Sequence, residues 1–314
     1  MQLHTILITG GAGYVGTELT KSLLSKGHLV QVVDTFWFGD NLKDHPNLIK
    51  IKTDIREFDL PDNLKRPDTI IHLASIANDP SAELSPELSW EIGCLGTLKV
   101  INWAISNSVK NFILASSGSV YGVSDEPKVT EEVPLVPISI YNKVKMIKER
   151  IVLSFADKLR VVILRPATVA GVSDRQRLDL AVNALTFSAL DKGEIIIFGG
   201  DQIRPHVHMK DLISTYEFFI DNDYDGIYNV GFENISIKDL GQQLSKITGA
   251  PVKVLQSNDP RSYRLNSDKL LGLGFTPKFK VMDAIADVMS AYKSGQLLDN
   301  PIHYNVNWLK KFEN

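Results

Sequence analysis

Tyr141 and Lys145 stand four residues apart in Ile140-Tyr141-Asn142-Lys143-Val144-Lys145, at the head of a run with helical periodicity. Residues at i and i+4 share a helix face, so a phenol and an ammonium can point into one site. A neighbouring cation stabilises phenolate, and bringing a tyrosine from about 10 toward neutrality takes roughly 4 kcal/mol. Such a phenol can take a hydroxyl proton as hydride leaves carbon, or return it in the reverse direction. The same spacing also recurs by chance on exposed helices. A second element stands beside it: Ala115-Ser116-Ser117-Gly118-Ser119-Val120-Tyr121-Gly122 closes an apolar run. Ser117 there can hold a substrate oxygen next to Tyr141, although serines at strand ends also serve as plain turn formers.

A third element lies at the start of the chain, in Thr9-Gly10-Gly11-Ala12-Gly13-Tyr14-Val15-Gly16. Gly11, Gly13 and Gly16 satisfy the G-x-G-x-x-G spacing between an apolar run and a helical one. Glycine permits the tight turn, lets amides approach a pyrophosphate, and allows close helix packing. The helix N-terminus then offers unpaired N–H groups and partial positive charge to phosphates. Asp34 follows eighteen positions after Gly16 and closes the second apolar run. A carboxylate there bonds an adenosine ribose and repels a 2′-phosphate, so NAD is expected over NADP. Asp54 reads equally as an adenine contact and as a strand-end turn residue.

The elements that must position these groups are legible as alternation. Strands are expected at Thr5–Thr9, Leu29–Val33, Leu48–Lys52, Thr69–Leu73, Asn111–Ala115 and Arg160–Leu164, each short and apolar on both faces. Helices are expected at Val15–Ser25, Pro86–Asn107 and Tyr141–Phe155. This pattern predicts an α/β fold with a doubly wound Rossmann parallel sheet. After Arg165-Pro166 the pattern loosens into a smaller, irregular α/β part, with helices at Leu180–Leu190, Asp211–Ile220, Ile237–Thr248 and Val281–Ser294 and no regular strands between them. Two domains are expected. Residues 1–165, with part of 205–232, would bind a dinucleotide, and 166–204 and 233–314 would bind the substrate.

Composition bounds the partners. The 314 residues carry 34 Lys+Arg against 37 Asp+Glu, a net charge of −3, which gives no global reason to bind nucleic acid or an anionic membrane. The single cysteine, Cys94, excludes an intrachain disulfide framework and suits a reducing cytoplasm. No apolar run approaches the roughly 20 residues of a spanning helix, and the first residues lack the basic leader of a signal peptide.

Taken together, these motifs resemble the extended short-chain dehydrogenase/reductase family, which includes the NAD-dependent sugar-nucleotide epimerases and dehydratases. The resemblance covers nearly the whole chain: the glycine turn, Asp34, His72–Ser75, SSGSVYG, YNKVK, LRPATVAG and RPHVHMKD. It implies a catalytic triad of Ser117, Tyr141 and Lys145. It places NAD against Gly10, Gly11, Gly13, Tyr14, Val15, Gly16, Asp34, Asp54, Ile55, Leu73, Ala74, Ser75 and Pro166, beside Tyr141 and Lys145. A nucleoside-diphosphate sugar would meet Ser117, Ser119, Thr168, Asp179, Arg204 and Arg261, the arginines because their forks pair with phosphate oxygens.

Departures from the family pattern narrow the chemistry. The resembled 4,6-dehydratases carry an Asp-Glu pair where this chain has Gly118 and Ser119, and the decarboxylases place Glu at Ser119, whereas 4-epimerases carry small residues there. Gly93 and Thr168 replace asparagines. The expected activity is 4-epimerisation through a 4-keto sugar, ahead of a 4-dehydrogenase or 4-ketoreductase in surface-polysaccharide synthesis, and of a non-catalytic NAD-binding sensor. Arg175 and Arg177 read either as substrate contacts or as a solvated loop pair. His206-x-His208 lacks a third partner, so no metal is expected. Cys94 reads as core. The long helices have apolar residues on more than one face, as a two-fold homodimer would need.

Overall fold

The computed structural model describes residues 2–61, 63–256 and 262–312. The first half runs β1 (Thr5–Thr9), α1 (Tyr14–Ser25), β2 (Leu29–Asp34), β3 (Leu48–Lys52), β4 (Thr69–His72), α2 (Asp79–Leu84), α3 (Pro86–Trp90), α4 (Thr97–Ser106), β5 (Asn111–Ala115), α5 (Ile140–Leu153) and β6 (Arg160–Pro166). The second half runs β7 (Thr168–Ala170), α6 (Ala181–Asp191), β8 (Ile195–Phe198), β9 (Ile203–His208), α7 (Met209–Asp221), β10 (Gly226–Val230), β11 (Glu233–Ser236), α8 (Ile237–Thr248), β12 (Val252–Leu255), α9 (Asp268–Gly272), α10 (Val281–Lys293) and α11 (Asn305–Leu309).

Seven strands form one parallel sheet in the order β10-β6-β5-β4-β1-β2-β3. Alternate residues of each strand feed opposite cores, as a period of two requires. Ile6, Ile8, Ile71, Ile113 and Val162 enter one cluster. Leu7, Ile70, Phe112, Val161 and Ile163 enter the other. The edge strand β3 departs from the expected two-sided burial, because it has a neighbour on one side only and none of its residues is fully buried. All these strands end at one edge, where a doubly wound sheet opens its crevice at the reversal of strand order between β1 and β4.

The helix expected over Pro86–Asn107 forms with a π-helical stretch, Glu91–Gly96, between α3 and α4. Gly93 is the reason it sits so close to α5. A Cβ on Gly93 would stand 2.1 Å from Val144 Cγ1, next to Lys145, so no side chain fits there.

The expectation of no regular strands after Pro166 is corrected by the structure. Besides β10 in the large sheet, β11-β9-β7 and β12-β8 make two small sheets. These strands are three to six residues long, and β9 (Ile-Arg-Pro-His-Val-His) carries proline and charge. Runs so short show no readable period.

Candidate active site

The glycine turn joins β1 to α1 and opens on a cleft of about 680 Å³ at the carboxyl edge of the sheet. Gly10 turns the chain with φ +73, and a Cβ there would press 2.7 Å from Ala74 N. A Cβ on Gly16 would lie 2.4 Å from the Gly10 carbonyl, so helix and turn touch backbone to backbone. Gly11 faces inward onto Val32 and does not line the cleft; Gly10, Gly13, Tyr14, Val15 and Gly16 do. Gly13 caps α1 without a side-chain hydrogen bond, leaving the positive helix end to the cleft. The Tyr14 side chain points elsewhere: its hydroxyl donates to Gly171 O at 2.7 Å and accepts from Asn183 Nδ2 at 3.0 Å, tying the later segment to this helix.

Asp34 lines the same cleft. Its oxygens accept from Ala12 N at 2.9 Å and Phe36 N at 2.8 Å, which holds the carboxylate against the turn. Burial raises its pKa against those backbone donors. Asp54 and Ile55 also line the cleft. Asp54 caps its own short turn, accepting from Arg56 N at 2.8 Å, and forks with the Arg56 guanidinium at 2.9 to 3.2 Å. Burial would lift its pKa, but the Arg56 bonds hold it below the usual carboxylate range. Leu73, Ala74, Ser75 and Pro166 complete this wall.

The structure brings Ser117, Tyr141 and Lys145 together in that cleft. Ser139 starts α5 by accepting from Asn142 N, which sets the phenol and ammonium on the face toward β5. Lys145 Nζ lies 5.6 Å from the Tyr141 ring centre and donates to Ala115 O at 2.9 Å. The Tyr141 ring lines the cleft, and burial pushes its pKa up to about 12, a rise that Ser117 opposes. In the protein alone the net shift is therefore upward, opposite to the lowering expected from Lys145. Lys145 is itself depressed to about 8 by burial, although Glu149 opposes this. Ser119 lies beside the pair, its hydroxyl 2.8 Å from that of Ser117.

Thr168, Asp179 and Arg204 line the cleft from the other side. Arg261 lies outside the described residues. Asp179 is heavily engaged, accepting from Arg177 at 2.8 and 3.0 Å, from Asn78 Nδ2 and from Asn305 N. Arg175 and Arg177 are 4% and 7% exposed, which overturns the solvated-loop reading. The two line the cleft, and burial together with Arg177 lowers Arg175 to about 9.

Several contributors were not foreseen. Asp79 lines the cleft, accepts from Ser139 Oγ at 2.6 Å and raises the Tyr141 pKa. The sequence signal was Asn78-Asp79-Pro80, a helix start whose cap, Asn78, accepts from Ser81 N. Lys148, one turn beyond Lys145, is fully buried and donates to Ala74 O at 2.8 Å. The C-terminal residues Tyr304–Asn307 and Leu309 cover the cleft from residues assigned to the other domain, and nothing local announces them.

Among the described residues no three metal-ligating side chains gather, and no helix is long and apolar enough to cross a membrane. His206 is buried with its pKa down to about 4, and His208 stacks on Phe279. Cys94 is half-buried and unoxidised, its thiol pKa raised by burial.

A glycine turn with no room for a Cβ at Gly10 or Gly16, an uncapped helix end and a carboxylate at the end of β2 fit a dinucleotide. With the Ser-Tyr-Lys group at the same strand edge, fold and site define a short-chain dehydrogenase-type enzyme. Residues 6–231 match the NAD dependent epimerase/dehydratase family, and the chain belongs to it. It is an NAD-dependent enzyme of that family. It is 26% identical to a UDP-glucose 4-epimerase of Lactobacillus helveticus, over 92% of this chain and 97% of that one. Among solved structures it resembles a UDP-N-acetylglucosamine 4-epimerase from Methanobrevibacter ruminantium M1 in complex with UDP-N-acetylmuramic acid (27% identity, TM-score 0.86, covering 94% and 100%). It also resembles a UDP-glucuronic acid 4-epimerase from Bacillus cereus in complex with UDP-glucuronic acid and NAD (26%, TM-score 0.82, covering 92% and 99%).

Proposed function

We propose that the protein is an NAD-dependent nucleotide-sugar 4-epimerase. The end of β5 carries this reading: Ser117 beside Tyr141, followed by Gly118 and Ser119 instead of a carboxylic acid. A Cβ on Gly118 would stand 3.3 Å from Leu265 Cδ2 and 3.3 Å from Pro166 O, so an aspartate there would have to displace its neighbours. Elimination of water or carbon dioxide lacks its proton handler without such an acid. Proton exchange at a 4-hydroxyl needs only Tyr141 and Ser117. The names and ligands of the relatives support a nucleoside-diphosphate sugar as the substrate.

Tyr141, as phenolate, takes the 4-hydroxyl proton, and Ser117 holds that oxygen. Lys145, charged and anchored on Ala115 O, favours the phenolate. A bound NAD would supply the acceptor for the C4 hydride and would return it to C4 of the turned keto sugar. Rotation of the 4-keto sugar within the cleft presents the other face, and Tyr141 returns the proton. Ser119, Thr168, Asp179, Arg204 and Arg261 are the substrate contacts in this reading. Residues 1–165 with part of 205–232 serve NAD, and 166–204 with 233–314 serve the sugar nucleotide. A cytoplasmic homodimer completes it, supported by the exposed Trp90, Leu95 and Leu98 along α3, the π turn and α4.

Incubation with a panel of nucleoside-diphosphate hexoses tests the activity. C4 epimers should interconvert, followed by NMR, with no reduced cofactor accumulating. Stoichiometric release of reduced cofactor would sink the reading. Tyr141→Phe should lower the rate by about 10² to 10⁴ while NAD stays bound.

A further inference from the structure

Arg175 is a buried guanidinium that makes no ion pair with a carboxylate among the described residues, although Asp179 and Asp34 lie near enough to act on it electrostatically. Its Nη1 donates to Gln176 O at 3.2 Å and its Nη2 to Asn305 Oδ1 at 2.6 Å, while Nε has no partner. Its Cζ lies 3.8 Å from the centre of the Phe38 ring, so the guanidinium is braced by the aromatic face. Burial lowers the Arg175 pKa despite Asp179 and Asp34, so a desolvated cation held here is costly unless a further anion in the cleft meets it.

Its place in the cleft indicates which anion. Ser173, two residues before it, donates to Tyr14 O in the first turn of α1 at 2.8 Å, and Arg175 N in turn donates to Ser173 Oγ at 3.3 Å. On its other side Phe38 belongs to the loop that follows Asp34. The guanidinium thus packs on the loop after Asp34, and its segment is tied to the first turn of α1. We propose that Arg175 pairs with a diphosphate in this cleft, that of the dinucleotide, with Phe38 and Asn305 as its braces. The backbone cradle and helix end then share the phosphate charge with one side-chain cation. The brace comes from the C-terminal segment, where Trp308 Nε1 also donates to Trp37 O at 2.7 Å, so the last helix holds the cofactor wall together.

Calorimetric titrations with NAD, adenosine and UDP, with NAD content of the purified protein measured in parallel, test this. In Arg175→Met, affinity for NAD should fall about 10- to 100-fold, with adenosine and UDP bound as in the parent. Arg175→Lys should recover part of the loss, and Asn305→Ala should weaken NAD a few-fold, about the effect of one loosened brace. Loss of UDP binding instead would assign the arginine to the substrate's diphosphate and overturn the proposal. An equal loss of all three ligands, or no loss, would also overturn it. If Arg175→Met does not fold, Arg175→Lys and Asn305→Ala decide the matter by the same NAD-against-UDP comparison. A parent protein that bound no NAD would fail the family reading; a parent that binds it beside an unimpaired variant fails only this inference.

Discussion

In the proposed mechanism Ser117 favours the ionised form of Tyr141, and the pH response of the enzyme should report it. Burial holds the phenol up to about 12, and Ser117 opposes the rise. The reactive form in that mechanism is the phenolate, so kcat/KM should rise from pH 6 and level off or fall as Lys145, depressed to about 8, loses the charge that favours it. Ser117→Ala removes a donor that favours the charged form. Its profile should move to higher pH as well as falling in height. A lower profile of unchanged shape would show that Ser117 positions substrate without tuning the base.

At the scale of elements, α5 is held to the sheet by a buried ion pair. Glu149, one turn past Lys145, accepts from Arg165 Nε at 2.9 Å and Nη2 at 2.7 Å on β6, and from Ser116 Oγ at the end of β5. Arg165 also donates to Tyr121 OH at 2.6 Å. Glu149→Ala strands that guanidinium where it is 3% exposed, at a cost of about 3–5 kcal/mol. The unfolding midpoint should drop by roughly 5–8 °C, measured by calorimetry; a drop under two degrees would refute the role. The sequence predicted the elements this pair joins, because central parallel strands are unbroken apolar runs and the glycine turn is local. It did not reveal the pair, whose partners are sixteen residues apart on different elements. The Arg175–Asn305 and Trp308–Trp37 contacts were still less readable, spanning 130 and 271 residues. Asp54 shows the opposite case: its turn-residue reading holds, since it caps a local turn, and it also lines the cleft.

The whole molecule carries a net charge of −3, yet Lys145, Arg175, Arg177 and Arg204 all gather at one cleft, so the total conceals a site arranged for anions. The same burial makes the fold sensitive to acid. His72 is fully buried between Thr9 and Thr97, and its pKa is driven well below the usual value by burial, with Lys148 and Lys145 adding to it. His206, 1% exposed beside Arg204, is driven down to about 4. Both rings stay neutral in the fold and protonate near 6.5 once it opens. Between that value and the folded ones the unfolded chain binds more protons, so stability falls as pH falls. His28, His208 and His303 shift in the same direction. From pH 7 to 5, before most carboxylates titrate, His206 alone should remove roughly 2 kcal/mol. The midpoint of thermal unfolding, measured without added nucleotide, should decline across that range. His206→Leu should flatten the decline by about a unit of linkage, 2.3RT per pH unit below 6.5. Parallel curves for parent and variant would mean that this imidazole is protonated in the folded protein, contrary to its burial.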